Sequence, residues 1–233
     1  MGHAPRGVGM NPHAAIQTQT TALILAGGAG RRMGGQDKGL LPFTQHGRTV
    51  PLIQPVLEVL APQVDQLIIS ANRHLADYAT LGFSVISDEI HAAFQGPAQA
   101  IMHARRYARH DWLLIAPCDL PFYQAHWPQQ LFLRQKQTRA AVIIAHDGQR
   151  LQPTVALIHR PCLTQRPCAP HMSLSTLLMA GRYALCDLSA DADAFINCNT
   201  PAQLATATAQ MSPFTHHGTL IPGQSTALQG ESA

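Results

Sequence analysis

Six glycines fall within thirteen residues of this chain: Gly27, Gly28, Gly30, Gly34, Gly35 and Gly39. Arg31, Arg32 and Lys38 sit among them. Glycines this dense let the backbone approach a ligand closely and leave N–H groups free to face an anion. Guanidinium and ammonium groups complement phosphate. The stretch therefore reads as a cradle for a nucleoside triphosphate. Two common phosphate loops do not fit it. In G-x-G-x-x-G counted from Gly28, the third glycine falls on Met33; in the P-loop pattern, Lys38 should follow a glycine and precede Ser or Thr, but it follows Asp37 and precedes Gly39. A second candidate is Asp119, in Ala-Pro-Cys-Asp-Leu-Pro-Phe, one of only 13 acidic residues in the chain. Magnesium takes hard oxygen ligands and is often held by one or two carboxylates plus substrate phosphates, so a single aspartate at a strand end suffices.

The elements that must position these groups are legible as alternating apolar runs. Leu23–Leu25, Gln66–Ala71, Phe83–Ser87, Trp112–Ala116 and Ala141–Ala145 suit short buried strands. Between Val50 and Leu60, Ile53, Val56, Leu57 and Leu60 fall on one helical face. Pro51 suits its first turn, whereas Pro55 requires a kink or a later start. A second helix is expected over Pro97–His110. Strands alternating with helices imply an α/β fold with a mostly parallel sheet and right-handed crossovers. Thr154–Ile158 and Arg182–Asp187 are more mixed and are expected to add an antiparallel strand or a lid. Ligands of such sheets bind beyond the carboxyl ends of the strands. At those ends the first run leads into the glycine loop, the second into Ser70-Ala-Asn-Arg73, the third into Asp88-Glu89 and the fourth into Pro117-Cys-Asp119. Residues 1–20 and 211–233 lack periodicity and are expected to be a disordered extension and a flexible tail around one domain, residues 21–210.

Composition excludes several classes. A formal charge of +3, with no basic run, argues against nucleic-acid binding. No apolar run approaches the ~18 residues of a membrane span, and the first twenty residues lack a signal-peptide core. Five cysteines without a C-x-x-C pair argue against a disulfide framework or a zinc ribbon and fit a reducing cytoplasm.

The segment Leu25-Ala-Gly-Gly-x-x-x-Arg-Met-Gly-Gly-x-Asp-Lys-Gly-Leu40 resembles the signature of the molybdenum cofactor guanylyltransferases (MobA-like), within the larger group of α/β nucleotidyltransferases. The L-A-G-G-x-x-x-R-M part is common to the group; G-G-x-D-K-G-L is narrower. The similarity runs from about Thr21 to Ala209. It implies a Rossmann-like three-layer α/β/α nucleotidyltransferase fold. It also implies transfer of GMP from Mg-GTP to the terminal phosphate of molybdopterin, with release of pyrophosphate. Carried over residue by residue, it makes Leu25, Ala26, Gly27, Gly28, Lys38, Ser70, Asp88 and Asp119 nucleotide-binding. Asp119 becomes the Mg2+ ligand, and Lys38 and Arg32 neutralise phosphate charge. Phe195-Ile-Asn-Cys-Asn-Thr-Pro201 resembles the family's N-x-N-T-P segment and places Asn197 and Asn199 on the pterin side. These two alternate along what reads as an extended stretch, and so face one way, while Thr200 and Pro201 start a last helix. His146-Asp147-Gly148 and Gln152-Pro153-Thr154 also echo the family; His146 reads as a polar loop residue rather than a base.

Two departures stand out. Ser70 replaces an asparagine that reads the base, and Ala100 replaces the last glycine of a G-P-L-A-G turn that reads Gly96-Pro-Ala-Gln-Ala100 here. Base choice therefore stays open toward CTP, as does a sugar-phosphate transferase. A non-catalytic GTP-binding cofactor chaperone is the remaining alternative. GTP and molybdopterin are the expected partners, with transient contacts to other cofactor-biosynthesis proteins and acceptor molybdoenzymes. A cytoplasmic monomer is expected.

Overall fold

The computed structural model describes residues 19–28, 35–87, 96–166 and 168–210. Arg31, Arg32 and Asp88 lie outside the described residues, as do 1–18 of the expected extension and the expected tail 211–233.

Each central strand is apolar on both faces because both are covered by helices. Strand β1 (Thr20–Leu25) sends Ala22, Ile24 and the following Ala26 into one core and Leu23 into another. The first core is closed by helix α1 (Gln54–Leu60), helix α2 (Leu75–Ala79) and helix α4 (Trp127–Thr138). The second is closed by helix α3 (Pro97–Ala104) and helix α5 (Leu174–Met179). The result is three layers, α/β/α.

The sheet has seven strands. Besides β1 these are β4 (Gln66–Ser70), β5 (Ser84–Ile86), β6 (Trp112–Pro117), β7 (Val142–His146), β8 (Leu151–His159) and β9 (Tyr183–Asp187). The order is β5-β4-β1-β6-β8-β7-β9. Within this sheet β8 runs antiparallel to its neighbours β6 and β7; the remaining pairings are parallel. The stretch around Thr154–Ile158 is thus the expected antiparallel strand, and Arg182–Asp187 is a parallel edge strand rather than a lid. Register aligns the carboxyl ends of three strands: Leu25 is level with Ser70 on one side and Pro117 on the other.

The helix expected from Val50 begins late. Pro51 closes a strand, β3 (Arg48–Pro51), and α1 starts at Gln54 with Pro55 in its first turn, where a missing N–H costs no hydrogen bond. β3 pairs with β2 (Pro42–Gln45) in a separate hairpin. Its two-residue turn, His46-Gly47, has positive φ at both positions (49° and 76°), the geometry that matches the twist of a tight hairpin. The helix expected over Pro97–His110 stops at Ala104. A last helix, α6 (Pro201–Gln210), packs on the hairpin through Leu41, Phe43, Leu52, Cys198 and Ala207, a third small core.

Candidate active site

Three segments far apart in sequence meet beyond the carboxyl ends of β1 and β6. Asp119 lies two residues past β6. Cys118 N donates to Leu25 O (3.2 Å), fastening this turn to the end of β1. Lys38 opens a single helical turn, Lys38–Leu40, after the glycine loop. Asn199 lies just before α6. Cys198 N donates to Asp119 O (2.9 Å) and so ties that segment to the end of β6. The three side chains converge: Lys38 Nζ donates to Asp119 Oδ2 at 3.2 Å and to Asn199 Oδ1 at 2.5 Å. Their side chains remain reachable, 25% exposed for Lys38 and 14% for Asp119. An ammonium has three N–H groups, so one is left beyond these two bonds.

The Asn199 segment is not extended. Asn199 N donates to Asn197 O (3.0 Å), which folds the stretch into a three-residue turn. The alternation that would turn Asn197 and Asn199 to one face therefore does not hold, and only Asn199 reaches Lys38. Its backbone is fixed from α6, where Gln203 Oε1 accepts from Asn199 N at 2.9 Å and Thr200 Oγ1 accepts from Gln203 N at 3.2 Å. Thr200 thus caps α6 through Gln203 N, while Gln203 reaches back one residue further than in a capping box, to Asn199 N, with Pro201 in the first turn.

Beneath the site, Cys118 is buried. Burial first, and then the charges of Asp119 and Asp37, push its thiol well above the ordinary range, against a smaller pull from Lys38.

The β4–α2 connection holds the glycine loop. Arg73 Nη1 donates to Gly35 O (2.7 Å) and Nη2 to Gly28 O (3.3 Å), so one planar fork spans both flanks of the loop. Asn72 lies against Gly27: a Cβ added there would meet Asn72 Nδ2 at 3.1 Å. Ala26 N donates to Ser70 O (2.8 Å), locking the start of the loop to β4. Ser70 itself is only 2% exposed. Just past β4, Asn72 and Arg73 carry polar side chains to the flanks of the glycine loop. Arg73 was not singled out from the sequence as a site residue; its one signal was its place just past a strand end. Ala100 is buried within α3.

Further out, the His146 motif is a scaffold. His146 Nδ1 accepts from Gly148 N (3.0 Å), and Asp147 accepts from Gln149 N and Arg150 N (2.8 Å each) and from Gln152 Nε2 (2.6 Å). Burial would raise the Asp147 carboxyl, but these donors outweigh it and hold it at about 2. Beside the site, Gln36, Leu41, Pro42, Pro201, Leu204 and Thr208 line an open groove of about 560 Å3 between the hairpin and α6.

Residues 22–180 match the family model of the MobA-like NTP transferase domain. The chain is 36% identical over 199 residues to a molybdenum cofactor guanylyltransferase of Shewanella sp. (strain MR-4), covering 81% of this chain and 94% of that one. It is 38% identical over 193 residues to the molybdenum cofactor guanylyltransferase of Pasteurella multocida, covering 80% and 97%. In three dimensions it is similar to the molybdopterin-guanine dinucleotide biosynthesis protein A of Archaeoglobus fulgidus, with a TM-score of 0.60 at 19% identity over 82% of this chain and 97% of that one.

Proposed function

Because the chain belongs to the MobA-like NTP transferase family, we infer that its Lys38–Asp119–Asn199 cluster serves a molybdenum cofactor guanylyltransferase. The enzyme transfers GMP from GTP to the terminal phosphate of molybdopterin, giving the guanine dinucleotide cofactor and pyrophosphate. One observation carries the assignment of the site: Lys38, Asp119 and Asn199, separated by 81 and 161 residues from the lysine, close on one point at the strand ends.

The chemistry asks little of the protein in the way of acids and bases. The acceptor is already a phosphate oxygen. It attacks the α-phosphorus of GTP; a new P–O bond forms, the bond from the α-phosphorus to the bridging oxygen breaks, and that oxygen leaves with pyrophosphate. What is required is in-line alignment and neutralised charge. In this reading the N–H that Lys38 keeps beyond its two bonds donates to a phosphoryl oxygen, while Asp119 and Asn199 hold the ammonium in place. Backbone N–H groups at Gly27 and Gly28, just past the end of β1, are the proposed donors to the triphosphate.

A divalent metal is general in this reaction class, and we propose Mg2+. Among the described residues no three His, Cys, Asp or Glu side chains gather as a metal site. Asp119 and Asn199 nevertheless turn two hard oxygens toward one cation, the Lys38 ammonium. That sparse set suits Mg2+, whose shell is commonly completed by phosphates and water. Asp119 would hold the ion, which when bound neutralises charge on the phosphates. All five cysteines are free, which supports a reducing, cytoplasmic setting.

Asp119→Asn keeps the shape and removes the charge. Pyrophosphate release from GTP and molybdopterin should fall by about 10^3-fold, the scale of losing one preorganised electrostatic contact, with the melting temperature changed by no more than about 3 °C. Turnover equal to the parent's would remove Asp119 from the site.

A further inference from the structure

The wall behind Lys38 is built around one hydroxyl. Tyr78, on α2, is fully buried, and its Oη donates to Asp37 Oδ1 at 2.5 Å. Asp37 is the residue before Lys38 and is itself 8% exposed. On the other side of Lys38 stands Gly39, where an added Cβ would clash with the same Tyr78 Oη. The hydroxyl is thus wedged against both sequence neighbours of the lysine. A carboxylate this buried needs a donor, so the bond fixes Asp37. Gly39 leaves the space that the ring fills, and any Cβ there would have to displace the hydroxyl. The main chain is anchored further on, with Ile53 N donating to Gly39 O (3.0 Å) and Leu41 N to Lys38 O (3.2 Å). Held from behind in this way, Lys38 meets Asp119 and Asn199 in front.

We propose that Tyr78, through its hydroxyl on Asp37 and its close approach to Gly39, is a positioning residue that sets where the Lys38 ammonium stands. It touches no substrate; it acts through the backbone of residues 37–39. The catalytic part of this inference rests on the phosphate role of Lys38, but the positioning part does not, and the two are measured separately.

The chain has two lysines, Lys38 and Lys136, and Lys136 is exposed on α4, so it serves as an internal standard. The full-length protein, without nucleotide, is acylated briefly with an amine-reactive acetyl ester at 25 °C, and the Lys38/Lys136 ratio is read by mass spectrometry. Tyr78→Phe removes one oxygen atom. It should raise that ratio at least about threefold, and lower kcat about tenfold with KM for GTP within about threefold, because a displaced ammonium is missed most in the transition state. Asp37→Asn should do the same, and the double variant should be no worse than the worse single one, since both remove one contact. An unchanged ratio and unchanged kcat, with only a lower melting temperature, would make Tyr78 a purely structural residue and overturn the proposal. Should Tyr78→Phe fail to fold, the ratio in Asp37→Asn decides by the same criterion. If the parent releases no pyrophosphate from GTP, the guanylyl reading fails, while the labelling ratio still decides the role of Tyr78.

Discussion

At the scale of single residues, the cluster works because each member has a different kind of partner. Lys38 is a compact cation whose bonds to Asp119 and Asn199 leave one donor over. Asn199 adds an oxygen without adding charge. Asn199→Ala should therefore lower kcat by about tenfold while leaving Lys38 on Asp119, a partial loss of orientation rather than of charge; steady-state kinetics with GTP and molybdopterin check this. Asp147 makes a different point. Its carboxyl is held at about 2 by the donors of its turn, below the ~3.9 of an unfolded chain. A depressed pKa contributes stability that is complete above the unfolded value and is lost as pH falls toward the folded one. The melting-temperature gap between the parent and Asp147→Asn should thus be widest above pH ~5 and shrink between pH ~4 and ~2. At this scale Lys38 and Asp119 were legible from residue type and setting. Their pairing with Asn199 was not, because alternation presumes an extended strand and the chain turns there instead.

At the scale of elements, short connections do the positioning. The fork of Arg73 spans Gly28 and Gly35. Lysine keeps the charge but cannot make two parallel bonds. If the glycine loop binds the triphosphate as proposed, Arg73→Lys should raise KM for GTP about tenfold and alter kcat little, the pattern of a contact made equally in ground and transition states. The cap of α6 is the second device. Thr200→Ala removes the acceptor for Gln203 N, which should cost about 1 kcal/mol and lower the melting temperature by about 2–4 °C in a calorimetric scan. Gly39→Ala forces a Cβ against the Tyr78 hydroxyl and should cost about 1–3 kcal/mol, as overpacking does, read by denaturant unfolding. Of these devices, Thr200-Pro201 was readable because caps follow local rules. The hairpin β2–β3 was missed because Pro51, a helix-start signal in isolation, ends a strand once β2 pairs with it.

At the scale of the whole molecule, the sheet separates two apolar layers and presents one polar edge. Leu57 on α1 and Leu177 on α5 sit in the two different layers. Each truncation to alanine should cost about 2–5 kcal/mol, and the double variant should equal the sum within about 0.5 kcal/mol, because distant sites without shared partners are independent. Urea unfolding followed by fluorescence and by circular dichroism should coincide for all of them, as one cooperative unit requires. The antiparallel β8 is inserted between β6 and β7, so the parallel half of the sheet, β5-β4-β1-β6, is the half whose carboxyl ends carry the site.

Residue order alone specifies the class of fold, its parallel strands as alternating apolar runs, and two candidate site residues, Lys38 and Asp119, which the fold brings within 3.2 Å of each other. Those features are local: periodicity, glycine density and the residue just past a strand end need no partner to be read. Packing in three dimensions settles the rest. It closes Asn199 on Lys38, bridges the loop's flanks with Arg73, buries Ser70 and stands Tyr78 behind the lysine. Each of these depends on which strands lie side by side and where a turn replaces an extended segment. Such long-range packing fixes distances between residues that no spacing along the chain encodes.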